Sequence, residues 1–128
     1  MCIRDRFQVL EPLTNLDDSR LARHAVQRLM AANPDLVGLY ICGGGAEGVI
    51  AAAREAANPG AIAIVCNERT PTTTAGLIDG VLSAVIATPS ALLARQTVEA
   101  MAAALEAPSN GPPIQILVPF DLLISTNV

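Results

Sequence analysis

Apolar residues alternate between two spacings along this chain. "LVGLYIC" (36–42), "AIAIVC" (61–66) and "LSAVIA" (82–87) are short, continuous apolar runs, the pattern of strands buried within a parallel sheet. Between them the spacing turns helical. "LDDSRLARHAVQRLMAANPD" places Leu21, Ala25, Leu29 and Met30 at helical intervals, with Asp18 as cap and Asn33-Pro34 as stop. "AEGVIAAAREAA" predicts a second helix ended by Asn58-Pro59-Gly60. The third opens on Thr70 as N-cap with Pro71 in its first position and closes at Gly80. Residues 90–107 predict the longest helix, closed by Pro108. At the ends, "FQVLEPL" (7–13) reads as a short strand, and "PIQILVPFDLLI" (113–124) as one bent strand or two short ones.

Strands alternating with helices predict an α/β fold, a parallel sheet with helices on both faces. In such sheets ligands lie beyond the carboxyl ends of the strands. That rule selects three loops: Gly43–Glu47, Asn67–Thr70 and Thr88–Pro89.

The first of these holds "GGGAEG" (43–48), which has several readings. A Walker A loop needs a Lys followed by Ser or Thr, but Gly48 precedes Val49 and the chain has no Lys. Gly43, Gly45 and Gly48 fit the GxGxxG spacing of dinucleotide folds, with Glu68 about twenty residues on, but a lone match of this kind is not specific. A tight turn needing positive φ would also require glycine. The third reading is a ligand site lined by backbone amides at a helix N-terminus, with Gly43, Gly44 and Gly45 letting a small molecule approach. Glu47 and Glu68 could face one another across the cleft, but no third group supports hydrolysis, so an enzyme is not expected. Glu47 also suits the first turn of a helix, where it answers the dipole. Glu68, beside Asn67 and Arg69, ends an apolar strand in a polar triplet and suits a ligand-facing role. His24 falls within a helix, away from any triad-like partner.

Composition narrows the field further. The 128 residues carry a net charge of −4, only 2% aromatics, and eight basic residues that are all Arg. The core must be aliphatic, and the clustered basic face that nucleic acid requires is missing. Arg20, Arg23 and Arg28 read as a solvated helix face. Cys2, Cys42 and Cys66 form neither a disulfide framework nor a zinc spacing, which favours a reducing, cytoplasmic setting. No metal or cofactor is expected. No run reaches the roughly 18 apolar residues of a membrane span. "MCIRDR" (1–6) reads as a junction, not a domain start, and suggests a fragment.

The order of these features resembles the sensor domain of lactose-repressor-type regulators, which has a periplasmic-binding-protein-like fold (type I). It is also similar to the ribose-type binding proteins of sugar transporters. The resemblance is carried by "NPDLVGLY", the glycine loop, the Ala-rich helix, "CNERTP" and "LIDGVLSAVIATP", and covers about residues 7–128. It implies a partial sensor domain, mostly its carboxy-terminal lobe, lacking the first strand–helix unit, with the helix 90–107 belonging to an absent lobe. It implies a sugar or sugar-like effector held between two lobes, with Asn67, Glu68 and Thr88 bonding ligand hydroxyls. Operator DNA would be bound only through a headpiece outside this chain. The helix after the glycine loop and the region after Glu68 would form a homodimer in the full-length parent. The alternative within the resemblance is an exported, monomeric sugar-binding protein of an ABC transporter.

Overall fold

The computed structural model describes residues 6–56, 58, 60–106, 111–113 and 115–128. The expected strand–helix alternation is present: α1 (Ser19–Ala32), β1 (Gly38–Ile41), α2 (Ala46–Glu55), β2 (Ala63–Asn67), α3 (Pro71–Ile78), β3 (Ala84–Ala87), α4 (Ser90–Glu106) and β4 (Asp121–Leu123). One sheet runs in the order β1-β2-β3-β4. The β1–β2 and β2–β3 pairs are parallel, with Ile41 opposite Cys66 and Cys66 opposite Val85. β4 joins β3 antiparallel, placing Leu123 opposite Val85.

The register decides which side chains are buried. Ile41, Ile64, Cys66, Val85, Ala87 and Leu123 point to one face and merge with the inner sides of α1, α2 and α3 in a single cluster. Tyr40, Val65, Ile86 and Leu122 alternate with them on the opposite face and are half-buried or exposed. The sheet is thus mostly parallel, but the helices that contribute buried residues cover one of its faces.

Helix α2 is the centre of the packing. It buries Ala46, Gly48, Val49, Ile50, Ala52 and Ala53. Its apolar surface, on which a homodimer contact was expected, therefore lies largely inside the chain's own core. The closest approach is to α1: a Cβ placed on Gly48 would sit 1.8 Å from the Ser19 carbonyl oxygen. So short a gap admits only small side chains. Of the expected α1 stripe, Ala25, Leu29 and Met30 are half-buried and Met30 packs against the core, while the fully buried positions lie beside them. Ala22 and Val26 are buried, whereas Leu21 is 47% exposed. Arg23 bonds Glu55 at 2.6 Å and Arg54 pairs with Asp79, tying α1 to α2 and α2 to the end of α3.

Two expected strands are corrected. Residues 7–13 carry no strand: Phe7, Val9, Leu10 and Leu13 are all exposed, and no neighbouring strand supplies ladder partners. Backbone groups without a ladder are solvated instead, so apolar content alone does not make a strand. Of 113–124, where residue 114 is outside the described set, only Asp121–Leu123 pairs, because only there does the chain reach the β3 edge. α4 forms as expected but buries none of its residues. Val98, Met101 and Leu105 on it are exposed. The expected helix stop at Pro108 and the junction-like start at residues 1–5 fall outside the described residues.

Candidate ligand site at the strand ends

β1, β2 and β3 are parallel, so their carboxyl ends open on the same side, and the turns that follow them meet there. Gly43–Gly45 and Glu47 follow β1, Asn67 ends β2 with Glu68 next to it, and Thr88 follows β3. Side chains bridge the three turns. The Asn67 amide donates to the Cys42 carbonyl at 3.1 Å, and its oxygen accepts from the Tyr40 hydroxyl at 3.1 Å. The Thr88 hydroxyl donates to Glu68 Oε1 at 2.9 Å. All seven residues singled out from the sequence thus lie at one end of the sheet.

Glu68 is held in an unusual conformation. Its φ of 69° is in the left-handed region that non-glycine residues rarely adopt. Three bonds hold it there: its N–H donates to Ile86 O at 2.9 Å, its carbonyl accepts from Thr73 Oγ1 at 3.0 Å, and Thr88 binds its carboxylate. Thr73 is 1% exposed and also completes a capping box with Thr70, accepting from Thr70 N at 2.8 Å. The Thr70-Pro71 signal is therefore a helix cap, and the same cap anchors the Glu68 turn. Strain of this kind persists only where the surroundings over-determine it, and it concentrates at functional sites.

The glycine turn is shaped by a partner that the sequence reading passed over. The segment Asn15–Asp17 folds against it: Asp17 Oδ1 accepts from Gly44 N at 2.8 Å, and Asn15 Nδ2 donates to Gly44 O at 3.0 Å. A Cβ on Gly44 would meet the Asp17 side chain at 2.8 Å, and one on Gly45 would meet Asn15 and Ala22 at the same distance. Gly45 also has φ 88° as the N-cap of α2. Both the tight turn and the close backbone approach are thus present, and the group that approaches is the chain's own 15–17 loop. Leu16 and Asp17 share positive φ, and Asn15 Oδ1 accepts from Asp17 N at 3.0 Å. The signal that could have found this loop is "TNLDD", since Asn and Asp favour turns that bond their own backbone. Tyr40 was missed because its apolar surroundings marked it only as a strand residue.

Glu47 stands exposed in the first turn of α2, the dipole-answering position. Burial pushes the Cys66 thiol up to about 11, and the Glu47 carboxylate adds to the effect. Cys42 is exposed and unpaired, and Cys66 is buried and unpaired. His24 is exposed on α1. Among the described residues, no group of three or more His, Cys, Asp or Glu side chains could hold a metal ion. No helix among them is long and apolar enough to cross a membrane.

Comparison with known proteins adds to this geometry. The model of a periplasmic binding protein domain matches residues 4–109. No curated protein matches the sequence. An ABC transporter solute-binding protein from Agrobacterium vitis, solved with α-D-tagatopyranose, is similar at 26% identity, with a TM-score of 0.79 over 94% of this chain and 40% of that one. A second A. vitis solute-binding protein, with bound D-fucose, matches at 19% identity and TM-score 0.80, covering 94% of this chain and 41% of that one. One from Burkholderia graminis, in complex with D-arabinose, matches at 20% and 0.79, covering 94% and 43%. The two matches below 25% identity speak to the fold alone. This chain spans about two fifths of the length of these proteins. With residues 4–109 of its 128 matched by the family model, the chain belongs to the periplasmic binding protein domain family.

Proposed function

We propose that the turns at the carboxyl ends of β1, β2 and β3 form one wall of a sugar-binding cleft, and that the chain acts by holding the sugar, not by transforming it. The observation that carries this is the pair of bridges at those ends, Asn67 to Cys42 between the first two turns and Thr88 to Glu68 between the last two. It stands in a fold shared with a solute-binding protein solved with a sugar, at 26% identity. Glu68, Asn67 and Thr88 would contact ligand hydroxyls, with Gly43–Gly45 and Glu47 forming the neighbouring rim. In this reading the exposed apolar residues of 7–13 and of α4 face the rest of a two-lobed protein, and the sugar stabilises the closed arrangement of the lobes. The best-supported setting is a solute-binding protein of a sugar transporter, as in the similar structure at 26% identity.

A second reading, the sensor domain of a lactose-repressor-type regulator, is favoured by one observation: Cys42 and Cys66 are both unpaired thiols. That suits a cytoplasmic protein better than an exported one. In that setting the sugar would be coupled to DNA binding by a headpiece, and the parent would be a dimer. The coding sequence upstream separates the two: a helix-turn-helix segment supports the regulator and a signal peptide the transporter component. The sugar reading is tested by a thermal-shift screen of the protein against monosaccharides. It expects a rise in Tm with at least one sugar, and loss of that rise in Glu68→Ala. Full retention of the rise in the variant would refute the assignment of the site.

A further inference from the structure

We infer that the strand-end mouth selects ligands by their hydrogen-bond donors, taking neutral polyhydroxylated sugars and amino sugars and discriminating against sugar acids and sugar phosphates. The inference rests on the sugar-binding reading and narrows its substrate class. It follows from counting which protons at the mouth are already in use. The Thr88 hydroxyl proton goes to Glu68 Oε1, so Thr88 has only lone pairs left to offer. The Tyr40 hydroxyl proton goes to Asn67 Oδ1, leaving Tyr40 likewise an acceptor. The Gly44 N–H, the amide that a glycine turn would be expected to present to an anion, goes to Asp17 Oδ1. Asn67 spends one amide proton on Cys42 O, and Asn15 spends one on Gly44 O. The Asn67 orientation is unambiguous, because the Cys42 carbonyl can only accept.

What these groups retain is mainly acceptor capacity: the second oxygens of Asp17 and Glu68, and lone pairs on Thr88 and Tyr40, against one remaining amide proton each on Asn67 and Asn15. The charges on the same turns agree. Asp17, Glu47 and Glu68 stand against one cation, Arg69, which is exposed one residue beyond Glu68. A sugar hydroxyl or an ammonium brings donors that satisfy these acceptors. A carboxylate or phosphate brings acceptors and like charge to a mouth with three carboxylates and few donors beyond Arg69 and the spare protons of Asn67 and Asn15, a mismatch that specificity can turn into large factors.

The test uses the ¹⁵N-labelled chain, whose amide shifts report even weak binding. D-arabinose, D-galactosamine and D-galacturonate are added at matched concentrations while Gly44, Glu68 and Thr88 are followed. The account expects the two non-anionic sugars to bind at least about tenfold more tightly than galacturonate. It also expects Glu68→Gln, which removes a charge and adds an amide donor, to narrow that ratio at least about threefold. Galacturonate binding as tightly as arabinose, or a ratio untouched by Glu68→Gln, would overturn the selectivity while leaving the sugar reading in place. A well-folded spectrum that none of the three sugars shifts would instead refute the sugar reading itself, and the selectivity with it.

Discussion

Replacing Gly48 by Ala tests the helix packing that positions the whole mouth. In a lone helix this change is favourable by up to about 1 kcal/mol, because alanine has the higher helix propensity. Here the new methyl carbon would lie 1.8 Å from Ser19 O and 2.7 Å from Ser19 C, backbone atoms with no rotamer to yield. An ordinary C···O approach is about 3.3 Å, so α1 and α2 must part by roughly 1.5 Å. A gap of that size forfeits half or more of the dispersion contact between their facing surfaces. It also wets Ala22 and Val26, which are 2% and 5% exposed. Overpacking of this kind costs about 1–3 kcal/mol, and more when backbone must move. After the propensity gain, the net loss is about 1–2 kcal/mol, a fall in Tm of roughly 5 °C for a domain of this size. Gly80→Ala is the control, since Gly80 has positive φ but nothing within 4 Å of its added Cβ. It should cost only the left-handed strain, about 1 kcal/mol. Urea unfolding followed by circular dichroism measures both. A neutral or stabilised Gly48→Ala would refute the close α1–α2 approach.

Other outcomes follow from the same contacts. Thr73→Val leaves Thr70 N and Glu68 O without their hydroxyl partner in a buried site and should cost about 1–3 kcal/mol, whereas Thr73→Ser should retain most of the stability; urea midpoints decide. Glu68→Gly should leave stability nearly unchanged, because relief of about 1 kcal/mol of left-handed strain offsets the chain entropy of glycine, about 0.5–1 kcal/mol, yet it should abolish any sugar-induced rise in Tm. Iodoacetamide at mildly alkaline pH, read by peptide mass spectrometry, should label Cys42 and spare Cys66, whose thiol is fully buried and raised to about 11. The backbone N–H of Leu21, with that of Arg20, holds the Asp18 carboxyl below its ordinary value of 3.8. A lowered carboxyl pKa stabilises the fold above the unfolded value and loses that contribution as pH falls through the folded one. Acid titration should therefore destabilise the parent chain more steeply than Asp18→Asn.

Much of the fold was legible because local and long-range requirements agree in its middle. Asp18 and Thr70 cap where their side chains can reach free amides, and the runs ending at Ile41, Asn67 and Ala87 are buried on at least one face. The reading failed where a neighbour decides the outcome. Phe7–Leu13 has strand composition but no ladder partner, and on α1 the small Ala22 and Val26 take the fully buried places against the close α2 while Leu21 is left exposed. At the site, parallel strands made the meeting of Gly43–Gly45, Asn67, Glu68 and Thr88 readable from topology. The clip formed by Asn15 and Asp17 was not readable, since it joins Gly44 to residues 27 and 29 positions away.

The central claim is that three parallel strands deliver their trailing turns to one mouth that receives a sugar. A crystal structure of the protein grown with D-arabinose tests this most directly. The account predicts the sugar within hydrogen-bonding distance of the Glu68 carboxylate and beside Asn67 and Thr88. A sugar bound elsewhere, with the strand-end turns empty, would contradict it.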